Sequence, residues 1–125
     1  MKEALEKTGR DIFYSICNWG HEETWTWAPE LGNSWRSTGD IMDIWYSVQF
    51  NFRYNDLHHE VAKAGAWNDP DMLEIGNGGL THEQEKSHFA LWAVAKAPLI
   101  LGCDLQQISK QSFEVITNTE LIDIN

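Results

Sequence analysis

The chain has 125 residues, 42% of them hydrophobic, and a formal net charge of −10. That length suits one domain and that apolar content a packed core, which sets aside wholesale disorder. The acidic balance argues against nucleic acid, whose phosphates demand a basic face, and against an anionic membrane surface.

Residues 1–8 read as a helix with Ala4 and Leu5 on one side and Gly9 just past its end. Residues 11–17, DIFYSIC, are β-branched and aromatic with little polar alternation, as expected of a parallel strand covered on both faces. A Trp-, Gly- and Pro-containing loop over 18–32 leads to a second short strand at 33–37. Residues 40–61 are expected to be helical, with Ile41, Ile44, Trp45 and Val48 at helical spacing. A third strand and loop cover 64–73, and 77–80 form a Gly-rich turn. Thr81 is the expected N-cap of the next helix, with Glu83, Gln84 and Glu85 in an acidic first turn. That helix should stop near Ala97, before Pro98. The run PLILG at 98–102 reads as a fourth strand, 106–117 as short helical turns, and 121–124 as a last apolar stretch.

Strands alternating with helices predict parallel βα units in an α/β fold. A complete (β/α)₈ barrel takes roughly 250 residues, so four units correspond to about half of one. Asn18, Arg36, Asp40, Asn68, Asp69, Asp71 and Asp104 follow the strands, where such barrels carry their active sites. A small doubly wound sheet is the alternative, but no G-x-G-x-x-G turn follows any strand. The N-terminal MKEALEKTGR has no apolar segment of the kind a signal peptide carries, and the apolar run over 89–101 is broken by Lys96 and Pro98. Two cysteines, Cys17 and Cys103, leave cytosolic and secreted settings open.

Seven tryptophans are far above expectation, and four fall between Trp19 and Trp35. Trp45 and Trp92 read as core residues, whereas Trp19 is a candidate wall against which a sugar ring could stack. Arg36 and Asp40 stand four residues apart, as a salt bridge at a helix start or as a carboxylic acid beside a hydroxyl-binding guanidinium. In WNDPDML, Pro70 fixes the turn, so Asp69 and Asp71 point in set directions. A capped turn, sugar binding and glycosidic acid/base chemistry all suit that arrangement; the EF-hand spacing does not occur. His58, His59 and His82 suit solvated helix faces, and no metal-ligand spacing is present, so no metal is expected.

FYSICNWG, GNSWRSTGDI, WNDPDMLEIGNGGL and ALWAVAKAPLILGCDL, in that order, closely resemble glycoside hydrolase family 27, which contains α-galactosidases (melibiases) and α-N-acetylgalactosaminidases. The resemblance implies a (β/α)₈ barrel followed by an antiparallel β domain, and cleavage of terminal α-galactosyl groups with retention by two aspartates. It implies no cofactor, and α-galactosides as partners. The family's nucleophile lies in a Lys-x-Asp motif ending the fourth strand, and no such motif occurs here. FYSIC matches the fifth strand, so the chain is expected to span strands five to eight, without the N-terminal half or the β domain. By the same resemblance Asp40 is the proton donor and acceptor and Arg36 binds sugar hydroxyls. Cys17 and Trp19 surround the 2-hydroxyl, Asp71 and Met72 contact the sugar, and Asp69 is their structural neighbour. Asn18 stands where some members have Glu, and Ala64-Gly65-Ala66 replace a Gly-Pro-Gly-Gly loop. Cys17 has no evident disulfide partner and is expected to be a free thiol.

Taken alone, the chain is then expected to be inactive. A non-catalytic galactose-binding module and a barrel-completing interaction module are the competing readings. Open strand edges at DIFYSIC and PLILG would favour homo-oligomers, which light scattering would detect.

Overall fold

The computed structural model describes all of residues 1–125 and is an α/β structure built on a small parallel sheet. The sheet contains β1 (Ser15–Ile16), β2 (Ser34–Arg36) and β3 (Trp67–Asp69), in that spatial order. Both pairings are parallel, with Ile16 opposite Trp35 and Arg36 opposite Asp69. Six α-helices surround it: α1 (Lys2–Glu6), α2 (Thr24–Trp27), α3 (Trp45–Asp56), α4 (His82–Val94), α5 (Lys110–Ile116) and α6 (Thr119–Ile124). None is long and apolar enough to cross a membrane.

Two expected elements are shorter than their composition suggests. Of DIFYSIC, only Ser15 and Ile16 join the ladder, because β1 is an edge with a neighbour on one side only. PLILG is not a strand. Leu101 forms a single parallel bridge with Leu73, through Leu73 N–H to Ile100 C=O (2.7 Å) and Gly102 N–H to Leu73 C=O (2.9 Å). The reason lies in its neighbour: after Asp69, Pro70 offers no N–H and Asp71 turns to φ 88°, so the extended ladder breaks before reaching this segment. The sheet therefore still has two open edges, but they are β1 and β3, not DIFYSIC and PLILG.

The helix expected from residue 40 begins at Trp45. Residues 40–44 form a loop in which two amides are taken by side chains: Ile41 N–H donates to Asp71 Oδ2 (2.8 Å) and Met42 N–H to Ser47 Oγ (2.9 Å). Ile41 is buried from this loop, whereas Ile44 is exposed, so the apolar spacing was only partly helical. The Thr81 cap is present as a full capping box: Thr81 Oγ1 accepts from Gln84 N–H and Gln84 Oε1 accepts from Thr81 N–H. The helix it opens, α4, ends at Val94, where Lys96 adopts φ 55°. The last apolar stretch is helical, as α6.

The core divides in two. Ile16, Ala28, Trp35 and Ala66 pack beneath β1 and β2. The larger group joins Ile41, Val48, Leu73, Ile75, Leu80, Phe89, Trp92, Ala97 and Val115. Glu85 is buried within α4, where its carboxylate accepts from Gly76 N–H (2.8 Å) and from Ser112 Oγ of α5 (2.9–3.0 Å). It thereby ties the Gly-rich turn and α5 to α4 through groups that burial would otherwise leave unpaired.

Candidate active site

The three strands end on one side of the sheet, and the polar residues that follow them meet there. Every residue of β2 is buried. Trp35 donates its indole N–H to Asn68 Oδ1 (2.7 Å), and Asn68 donates to the His58 carbonyl (2.8 Å), so β2 and β3 are locked by side chains as well as by the ladder. Ser37 N–H continues the pairing to Asp69 C=O (2.9 Å). On the other flank, Gly20 N–H donates to Arg36 C=O (2.9 Å), which draws the Cys17–Trp19 loop against the end of β2. Gly20 sits at φ 76°, and a Cβ there would lie 2.4 Å from the Ser37 carbonyl, so only glycine allows this approach.

The Arg36 guanidinium organises the centre. Its Nη2 lies 2.7 Å from Asp71 Oδ2, 3.2 Å from Asp40 Oδ1 and 2.9 Å from the Gly39 carbonyl. The expected Arg36–Asp40 pair is present, but it is the longer and wetter of two ion pairs. The Arg36 and Asp71 side chains are 11% and 13% exposed, whereas Asp40 is 70% exposed. Nor is Asp40 at a helix start, since α3 begins five residues later.

Three aspartates thus have three different environments. Asp71 is committed: Oδ2 accepts from Arg36 and Ile41 N–H, and Oδ1 accepts from Met72 N–H (2.8 Å). Its own backbone is held by Asp69 Oδ1, which accepts Asp71 N–H (2.8 Å), and by Trp92, whose indole donates to Asp71 C=O (2.7 Å). Asp69 is buried, and burial raises its carboxyl above the ordinary value against the lowering pull of the Asp71 N–H and the Arg36 charge. Asp40 is the one whose carboxylate is mainly free. Glu74, farther along the same loop, is raised in the same way by burial, with the Asn77 amide bond acting against it.

The remaining expected site residues line the periphery. Cys17 is a free, exposed thiol just beyond β1. Trp19 has φ 54° and a side chain 47% exposed. Met72 is exposed beside Asp71. None of these residues, nor Arg36, Asp40 or Asp71, lines any of the five principal cavities, whose volumes run from about 260 to about 460 Å³. Asp40, Cys17, Trp19 and Met72 are each exposed to solvent. His58 is not a solvated histidine: its ring stacks on Trp25 at 3.6 Å. The sequence reading missed the roles of Ile41 N–H and the Trp92 indole. The odd richness in Trp was the available signal, since a buried indole N–H needs an acceptor.

The family model described as "Alpha galactosidase A" matches residues 1–125. "Alpha-galactosidase 2" of Arabidopsis thaliana is 53% identical over 125 residues, all of this chain and 32% of that protein. "Alpha-galactosidase" of Coffea arabica is 50% identical over the same span, 33% of its length. The chain therefore spans about a third of the curated relatives it matches. Among solved structures, α-galactosidase I from Mortierella vinacea superposes with a TM-score of 0.95 at 38% identity, covering 99% of this chain and 36% of that one. A β-L-arabinopyranosidase from Geobacillus stearothermophilus superposes with a TM-score of 0.90 at 25% identity, covering 98% and 32%. With strand-end carboxylates on a parallel sheet and a family match along its whole length, the chain belongs to the α-galactosidase A (melibiase) family, glycoside hydrolase family 27.

Proposed function

We propose that this chain carries the acid/base side of a retaining α-galactosidase that removes terminal non-reducing α-D-galactosyl groups. Residues 1–125 correspond in this reading to the C-terminal half of the barrel, strands five to eight. The nucleophile belongs to barrel residues outside these 125, and the chain alone is inactive. The observation that carries the reading is the sorting of the three aspartates. The Asp71 carboxylate is consumed by three neighbours and Asp69 is buried, which leaves Asp40 as the carboxylate able to meet a substrate.

Retention needs two carboxyl groups roughly 5–5.5 Å apart. The nucleophile attacks the anomeric carbon while Asp40 gives its proton to the departing glycosidic oxygen, whose bond to that carbon breaks. Asp40 then takes a proton from water as the water displaces the nucleophile from the glycosyl ester. Arg36 and Asp71 shape the site's floor, with Met72, Cys17 and Trp19 against the sugar. Trp19, beside the 2-position, disfavours an N-acetyl group there.

The test is a full-length chimera in which this chain replaces the matching segment of a plant α-galactosidase. It should hydrolyse an aryl α-galactoside faster than the aryl α-N-acetylgalactosaminide or the aryl β-L-arabinopyranoside. Asp40→Asn should lower the rate by about 10²–10⁴-fold, the usual worth of a general acid/base. A folded chimera that prefers either other glycoside, or an Asp40→Asn variant of unchanged rate, overturns the reading.

A further inference from the structure

We propose that Trp92, wholly buried behind Asp71, is a positioning residue for the Asp40 carboxylate. Asp40 makes one side-chain interaction, the 3.2 Å pair with Arg36, and is 70% exposed. Its place is therefore set by the backbone on which it sits. The next residue is Ile41, whose N–H is held by Asp71 Oδ2 at 2.8 Å. The same oxygen holds Arg36 Nη2 at 2.7 Å, so one carboxylate oxygen fixes both the loop bearing Asp40 and the cation beside it.

Asp71 can do this only in an uncommon conformation. Its φ is 88°, a left-handed backbone that L side chains rarely adopt. Such a conformation persists where surrounding bonds determine it. Asp69 Oδ1 holds the peptide on the N–H side, and the Trp92 indole N–H holds the Asp71 carbonyl at 2.7 Å. Trp92 is 0% exposed, and its ring meets the edge of His88 at 4.1 Å and 83°. His88 is itself held, because its Nε2 accepts Glu74 N–H (3.1 Å). The indole thus cannot swing away from its acceptor. The chain of connections runs from α4 through the Asp71 carbonyl and carboxylate to Ile41, one residue from Asp40. Its kinetic readout rests on the glycosidase reading, whereas its structural readout does not.

The experiment uses the full-length chimera with Trp92→Phe, which keeps an aromatic ring and removes the donor. A second variant carries 3-benzothienylalanine at 92, which keeps the two-ring shape and replaces N–H by sulfur, so a folding defect in the first leaves the question answerable. Phe89→Leu is the control, being buried in the same helix with no polar link to the site. Either donor-free variant should lower kcat about tenfold with KM changed less than about twofold, since displacement of a reacting group costs rate more than ground-state binding. Each should also speed hydrogen exchange at the Ile41 amide. Phe89→Leu should lower the melting temperature and leave both readouts alone. Exchange at Ile41 that does not change, or a kcat within twofold of the parent in an active chimera, overturns the proposal. If no glycoside is hydrolysed at all, the α-galactosidase reading fails while Ile41 exchange still decides this one.

Discussion

The two flanks of the site are built differently. Where β2, β3 and α4 meet, Arg36, Asp71 and Trp92 are nearly or wholly buried, and Asp71 uses both carboxylate oxygens, its N–H and its carbonyl. On the β1 flank, a strand of two residues leads to an exposed cysteine and a half-exposed tryptophan. The first flank can hold a reacting group still because its polar groups leave water only by pairing with one another. The second offers surface for contact and little rigidity of its own. Under the proposed function, position would come from the deep side and recognition from the shallow side, the arrangement expected where catalysis demands tighter geometry than binding.

The largest expected effect comes from breaking the deep side. Asp71→Ala would leave a nearly buried guanidinium and the Ile41 N–H without their acceptor, and would place alanine at φ 88°. Urea unfolding of the chimera should then show a loss of about 3 kcal/mol or more, the cost of removing one partner of a buried pair. Asp71→Asn, which keeps the shape and tolerates a left-handed backbone, should lose less. Equal losses would mean that the charge alone carries the effect and that the retained shape contributes nothing.

A smaller effect should follow pH through His88. Burial lowers this histidine from its ordinary 6.5 to about 4, so the unfolded chain binds the extra proton first as pH falls. Its contribution to stability is constant above 6.5, declines between 6.5 and about 4, and levels off below. The limiting loss is on the order of 3 kcal/mol at about 1.4 kcal/mol per pH unit. Asp69 and Glu74, raised by burial, act in the opposite sense as pH falls toward their ordinary range, because the folded state keeps their protons longer. The difference between the parent and His88→Gln isolates the histidine: the parent's advantage should shrink from pH 7 to 4.5. A constant difference would refute a neutral buried His88.

The smallest effect belongs to the shallow side. Trp19→Ala should raise KM for an aryl α-galactoside about fivefold, the equivalent of about 1 kcal/mol of ring stacking. The melting temperature should move little, because the ring is already half in water. A large stability loss would show Trp19 to be a core residue and would erase the contrast between the flanks.

Much of this was legible in the chain itself. The Thr81 cap follows from local chemistry, as a Thr with Gln three residues on satisfies helix N–H groups whatever surrounds it. Arg36 and Asp40 could be paired by spacing alone, and Trp92 could be assigned to the core from its apolar run. The start of α3 is not legible in the sequence, because apolar spacing reports burial and Ile41 is buried without being helical. PLILG has a strand's composition without being one, because a strand needs a partner and its neighbour turns away after Asp69.

By itself the sequence determined the family, the α/β class and the first three strands, since these depend on local pattern and long specific motifs. Tertiary structure alone decided which aspartate is free. Asp40, Asp69 and Asp71 are chemically the same side chain, and they differ only in the donors and the burial that the fold brings to each. The Arg36–Asp71 pair joins the ends of β2 and β3 across 35 residues of sequence, and the Trp92–Asp71 bond spans 21. No local periodicity encodes such contacts, because they exist only once parallel strands and a packed helix have brought the groups together.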